Sequence, residues 1–220
     1  MANAGRNFQI AEGKQLYPVF ALPFEGLDPE NGSPLGRLDG EVSTNYLQMN
    51  RDSLHNVTYY GTGLPPYHGS FRQALSWNRL ELSFLISFKF GHYFQKPTIL
   101  YGDLFNAWGG HKDFEKRWQN PGDELHTTVP SLIYPANSAR DSFYAYSEAN
   151  IEKGDLIRLQ DINITYRLEP KVGSKNINLS IYAAVNNVGL LWTANKAGID
   201  PDYNNMSPSR RFSLGVNCSF

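Results

Sequence analysis

The chain has 220 residues, 24.9 kDa, and 20 Lys and Arg against 21 Asp and Glu; its pI near 6.5 argues against the basic face of a nucleic-acid binder. One cysteine excludes an intrachain disulfide and a multi-cysteine metal site. A mean hydropathy of −0.44 and the lack of any apolar run near 18 residues exclude a membrane-spanning helix, but not a β-barrel, whose strands average out as polar. Aromatic residues at 14 %, with 19 Gly and 13 Pro, point to an all-β protein.

In chain order, Met1 to Arg6 has neither a basic region nor an apolar core and does not read as a signal peptide. Lys14 to Phe24 reads as a strand interrupted by Pro18 and Pro23. Phe71, Gln73, Leu75 and Trp77 mark a second strand. The strongest signal is Leu82 to Phe90: Leu82, Phe84, Ile86, Phe88 and Phe90 share one face, and Ser83, Leu85, Ser87 and Lys89 the other. Ile162, Ile164, Tyr166 and Leu168 form the apolar face of a strand beginning near Asp155. Arg158 and Gln160 break its phase, as a β-bulge would. Ile177 to Val185 alternates with Leu179, Ile181 and Ala183 on its apolar face, and Phe212, Leu214, Val216, Cys218 and Phe220 form that of the last strand.

The connections carry as much information. Trp77 to Leu82 and Glu169 to Lys175 are short turns, whereas Gly26 to Ser70, Gly91 to Gly154 and Asn187 to Ser209 are long. Long structureless loops count against a compact domain. Strict alternation of short turns and long loops is the pattern of an outer-membrane barrel, and lipid on one side with lumen on the other explains the two-faced strands. Aromatics at strand ends, Trp77, Tyr93, Phe94 and Phe220, fit an interfacial girdle or the rim of a soluble sandwich.

Several segments then resemble the carboxyl-terminal barrel portion of SusC/RagA-type TonB-dependent outer-membrane transporters. They are Gly26 to Gly32 (GLDPENG), Pro65 to Phe71 (PPYHGSF), Arg117 to Glu124 (RWQNPGDE), Leu156 to Tyr166 (LIRLQDINITY), Asn186-Asn187, Asp200 to Tyr203 (DPDY) and Ser209 to Phe220, in the family's order. The resemblance implies an antiparallel transmembrane β-barrel segment, about six carboxyl-terminal strands of a barrel of about 22, with long extracellular loops. It also implies partners: outer-membrane lipid, the plug and missing strands of a full-length protein, a SusD-like lipoprotein lid, TonB, and an oligosaccharide or other large nutrient as cargo. No stretch resembles a plug or TonB box, so residues 1–220 read as one part of such a barrel, arising from a split or truncated gene or a partial record. The competing readings are a soluble carbohydrate-binding β-sandwich and a non-functional gene fragment.

Tyr101, Phe105, Trp108, Trp118 and Tyr134 in the long loops are candidate substrate contacts, since rings stack on sugar faces; the alternative is packing within the loops or against a lid. Phe212, Leu214, Val216 and Phe220 resemble the family's assembly signal. Asp28, Glu30, Asp200 and Asp202 do not reproduce an EF-hand loop and read as loop turns. His55, His68, His92, His111 and His126 lack metal-ligand spacing and read as exposed loop residues. Asp123 and Glu124 are adjacent and diverge on an extended chain, poor geometry for a glycosidase pair. Cys218 reads as a small buried hydrophobe. No nucleotide, zinc-protease or hydrolase motif occurs, so neither a cofactor nor an enzyme is expected.

Overall fold

A computed structural model describes residues 13, 15–51, 56–168, 170–172, 175–176, 178–203 and 206–219. In chain order they form β1 (Pro18–Ala21), β2 (Gly36–Leu38), β3 (Glu41–Ser43), α1 (Tyr46–Arg51), β4 (Thr58–Thr62), β5 (Tyr67–Trp77), β6 (Leu80–Phe90) and β7 (Tyr93–Gln95). After these come α2 (Tyr101–Ala107), α3 (Ser138–Ala145), β8 (Ile151–Lys153), β9 (Leu156–Leu168), β10 (Lys171–Val172), β11 (Lys175–Asn176), β12 (Asn178–Thr193) and β13 (Arg211–Ser219). Two units result, one from residues to 64 with 93–153, the other from 65–92 with 154 onward.

The second unit is built on one antiparallel sheet of five strands, ordered β13-β12-β9-β6-β5. β5 and β6 meet through Asn78-Arg79, with Asn78 left-handed at φ 53°, the backbone a two-residue hairpin demands. The short turn expected after Leu168 contains a small β10–β11 hairpin. β12 runs to Thr193, well beyond the expected end at Val185, and bends where Asn187 adopts φ 56°. Ile177, Lys14 and Phe220, which the strand readings include, lie outside the described residues.

The first unit corrects two expectations. The interrupted strand near Pro18 is real, but it pairs with β4 in a separate two-stranded sheet, so five strands rather than six make the large sheet. The long connections Gly26 to Leu64 and Tyr93 to Lys153 are folded, not structureless. Leu22, Tyr46, Met49 and Phe143 form one buried cluster, and Ile99, Tyr101 and Val129 a second. Asn137 caps α3 through its Oδ1, which accepts from the N–H groups of Ala139 (3.0 Å) and Arg140 (3.1 Å). Arg140, fully buried, ties α3 to two distant loops by donating to the carbonyls of Ser131 (2.9 Å) and Gly32 (3.3 Å). Apolar content in these segments was sufficient to build a core, because their aromatic and aliphatic residues converge from both halves of the unit.

Candidate functional site

Cross-strand partners in an antiparallel sheet project to the same face. One face of the five-strand sheet therefore collects Phe71, Leu75 and Trp77 from β5, Leu82 to Phe90 at alternate positions from β6, and Ile162, Ile164 and Tyr166 from β9. Ile181, Ala183 and Val185 of β12 and Phe212, Leu214 and Val216 of β13 continue it. The face is apolar across all five strands except at Gln73, opposite Phe84, and it is open: Leu214 is 80 % exposed and Trp77 is 77 % exposed. A β-sandwich would need a second sheet on this face, and the described residues of the unit contain one large sheet only.

Tyr and Trp mark both ends of the face, with Trp77 and Tyr166 beside the short turns and Tyr67 and Trp192 beside the long connections. Trp192 packs on Phe90, with ring centroids 6.3 Å apart. The ten steps from Tyr67 to Trp77 along β5 cover about 34 Å. At a tilt of about 40° they rise about 26 Å, the height of the lipid-facing band of a barrel.

The opposite face is mostly polar, with Leu85 and Ala184 among its residues. Arg167 pairs with Glu81 at 2.6 Å and Arg72 with Asp161 at 3.6 Å. Gln160 Nε2 donates to Ser87 Oγ at 2.7 Å. The phase break expected at Arg158 and Gln160 is a bulge: Leu85 pairs with Asp161 and the next residue, Ile86, with Leu159, leaving Gln160 as the extra residue. Leu159 thereby returns to the apolar face and Arg158 joins the polar one, opposite Ser87.

Arg158 then anchors the connection between β12 and β13. It is 4 % exposed and pairs with Asp200 at 2.5 Å and Asp202 at 3.4 Å. Lys89 binds Asp202 at 2.7 Å, and the Tyr203 ring lies 5.2 Å from the Arg158 guanidinium carbon. Asn195 closes the segment by exchanging hydrogen bonds with Ile199 at 2.8 and 3.0 Å. Asp200 and Asp202 are thus spent on cations, and Asp28 on a turn in which it accepts from Glu30 N–H at 2.8 Å. Among the described residues no cluster of His, Cys, Asp and Glu could hold a metal.

The five loop aromatics divide. Tyr101 is 1 % exposed and donates to the Pro130 carbonyl at 2.6 Å. Trp118 is 7 % exposed and donates to Glu124 at 3.0 Å, with Gly32 against its ring. A Cβ on Gly32, whose φ is +66°, would fall 2.4 Å from that ring, so only glycine fits. Both rings are consumed by internal packing. Trp108 is 94 % exposed, Tyr134 81 % and Phe105 36 %, the last two in an edge-to-face pair at 5.1 Å. These three remain available to a ligand.

Asp123 and Glu124 are loop braces. Asp123 accepts from the N–H groups of Asn120 and Gln119, both at 2.9 Å, and these bonds hold its carboxyl below the ordinary range. The Trp118 indole does the same for Glu124. Two histidines depart from the exposed expectation. His92 is buried, which lowers its pKa, and His111 Nδ1 accepts from Asp113 N–H at 3.2 Å, capping a 3₁₀ turn. His55 lies outside the described residues. Cys218 is exposed rather than buried, because it sits on the open apolar face of β13. Sequence reasoning missed Arg158 and Arg140 as organising residues; the phase break at Arg158 was the one visible signal.

No family model and no curated protein matches the chain. Among solved structures it is similar in fold to the RagAB peptide importer in its 'open-open' state, at a TM-score of 0.63 and 20 % identity over 100 % of this chain and 25 % of that one. The 'closed-closed' state of the same importer gives a TM-score of 0.64 at 20 % identity, covering 98 % of this chain and 25 % of that one. The chain spans about a quarter of the length of the chains it matches. No helix among the described residues is long and apolar enough to cross a membrane, which says nothing of strands.

Proposed function

We propose that this chain forms part of the wall and the extracellular connections of a SusC/RagA-type TonB-dependent transporter in the outer membrane. The observation that carries the reading is the five-strand face, apolar except for Gln73, bounded at both ends by Tyr and Trp, and backed by a mostly polar face. Water penalises such a face and lipid rewards it. The fold likeness to a peptide importer supports the reading independently.

Among the described residues β5 and β13 each pair on one side only. Unpaired backbone groups in lipid cost several kcal/mol each, so further strands complete the barrel. The strand bearing Phe212, Leu214 and Val216 serves as the assembly signal; Phe220, the fourth residue of that reading, lies outside the described residues. The polar face lines the lumen, and Phe105, Trp108 and Tyr134 contact cargo, an oligosaccharide, a peptide or another large nutrient. A plug, TonB and a SusD-like lipoprotein lid supply coupling and closure.

The test is a blot of fractionated native cells with an antibody against residues 206–219. The reading predicts a band in the outer-membrane fraction whose mobility shifts on heating. A band confined to the soluble fraction would overturn it and favour the carbohydrate-binding module.

A further inference from the structure

The polar face of the large sheet holds a pocket that the wall does not require. It has a volume of about 240 Å³ and lies between β9, the bend of β12 and the connection from Asn195 to Arg210. Gly189 opens its floor: φ is +133°, where side chains are strained, and a Cβ there would lie 3.8 Å from Arg210 Nη2. Arg158, Asp200, Ser207 and Arg210 bring charge and hydroxyl groups to its walls.

The charges do not cancel. Arg158 and Lys89 are matched by Asp200 and Asp202. Arg210 donates Nε–H to the Val188 carbonyl at 2.8 Å, and no carboxylate among the described residues lies within ion-pair distance of it. One guanidinium is therefore in excess, and its fork suits a carboxylate. Asp200 displays how these walls take such a group, accepting from Arg158 at 2.5 Å, from Asp202 N–H at 3.1 Å and from Ser207 Oγ at 3.5 Å. The volume falls below the roughly 300 Å³ at which pockets begin to hold whole small-molecule ligands, so it suits the end of a larger ligand.

We infer that this pocket binds a single terminal carboxylate of a ligand on Arg210. A dianion such as a phosphate ester would outrun the one excess cation. The carboxylate can come from a peptide terminus or a sugar acid, and the probes separate these. The pocket stands on local geometry, whereas its position inside a lumen rests on the function proposed above; a titration in detergent reads the first without the second.

The experiment is calorimetric titration of the native, detergent-extracted protein with trialanine, trialanine amide and glucuronate. At least one free acid should bind, and the tighter of the two names the source. Trialanine, if it is the tighter, should lose at least tenfold in affinity on amidation. Arg210→Gln should bring the binding acid down at least tenfold with little change in melting temperature, because Arg210 is exposed, is outside the Arg158–Asp200 pair, and loses only a surface hydrogen bond to Val188. Failure of both acids to bind, or binding that survives Arg210→Gln, would overturn the assignment.

Discussion

Burial pushes the phenols of Tyr101 and Tyr144 up to about 12, against an ordinary value near 10. Both belong to the first unit, and neither is part of the large sheet. A group that holds its proton more tightly when folded stabilises fully below the unfolded pKa, and loses that contribution as pH rises through the folded one. Stability of the native protein should therefore be unaffected by these residues up to about pH 10 and fall between about pH 10 and 12. Melting temperature followed across that range should show a decline that Tyr101→Phe makes shallower. An equal slope in the variant would contradict the burial assigned to this ring.

The residue scale is also where the sequence was least legible. Tyr101, Trp108 and Trp118 look alike as loop aromatics, yet one is exposed and two are packed. What separates them is long-range: the Pro130 carbonyl for Tyr101, and Gly32 with Glu124 for Trp118. No local pattern encodes those meetings. Arg158 was legible in part, because an arginine in an apolar phase has to be displaced by a bulge or paired, and here it is both.

At the scale of elements, alternation with period two was read correctly because it is a local property of each strand. Leu82 to Phe90 lies wholly within β6, and the terminal alternation from Arg211 to Ser219 forms β13, Phe220 lying outside the described residues. Two of the four pairings, β5 with β6 and β9 with β12, join strands linked by short connections, whereas β6 with β9 and β12 with β13 pair across long ones. The long connections were misread as loops, since cores such as Leu22, Tyr46, Met49 and Phe143 assemble from segments over ninety residues apart. Ile86 stands near the middle of β6 on the apolar face, whereas Ser83 stands on the polar one. Ser87 is a poorer control, because it accepts a hydrogen bond from Gln160. Charge at the bilayer midplane costs about 2–4 kcal/mol. Ile86→Arg should therefore sharply reduce the heat-shifted outer-membrane form on a blot, and Ser83→Arg should leave it near the native amount. Equal losses would remove the distinction between lipid and lumen faces.

At the scale of the molecule, the chain divides its labour between two units. One is a five-strand sheet with an apolar and a mostly polar face, and its polar side carries a clamped connection and a pocket. The other gathers most of the long connections around buried rings and leaves Phe105, Trp108 and Tyr134 outward. The two states of the peptide importer match 100 % and 98 % of this chain at similar TM-scores, so the fold likeness extends over both units. The central claim is that the apolar face meets lipid. It is tested most directly by placing a nitroxide at each position from Leu82 to Phe88 in the native outer membrane, with Cys218→Ser as background. Collisions with oxygen, which partitions into lipid, are then compared with collisions with a water-soluble nickel chelate. Labels at Leu82, Phe84, Ile86 and Phe88 should favour oxygen, and those at Ser83, Leu85 and Ser87 nickel, with apolar Leu85 following its face rather than its chemistry. Nickel access at Phe84 and Ile86 equal to that at Leu85 and Ser87 would contradict the account.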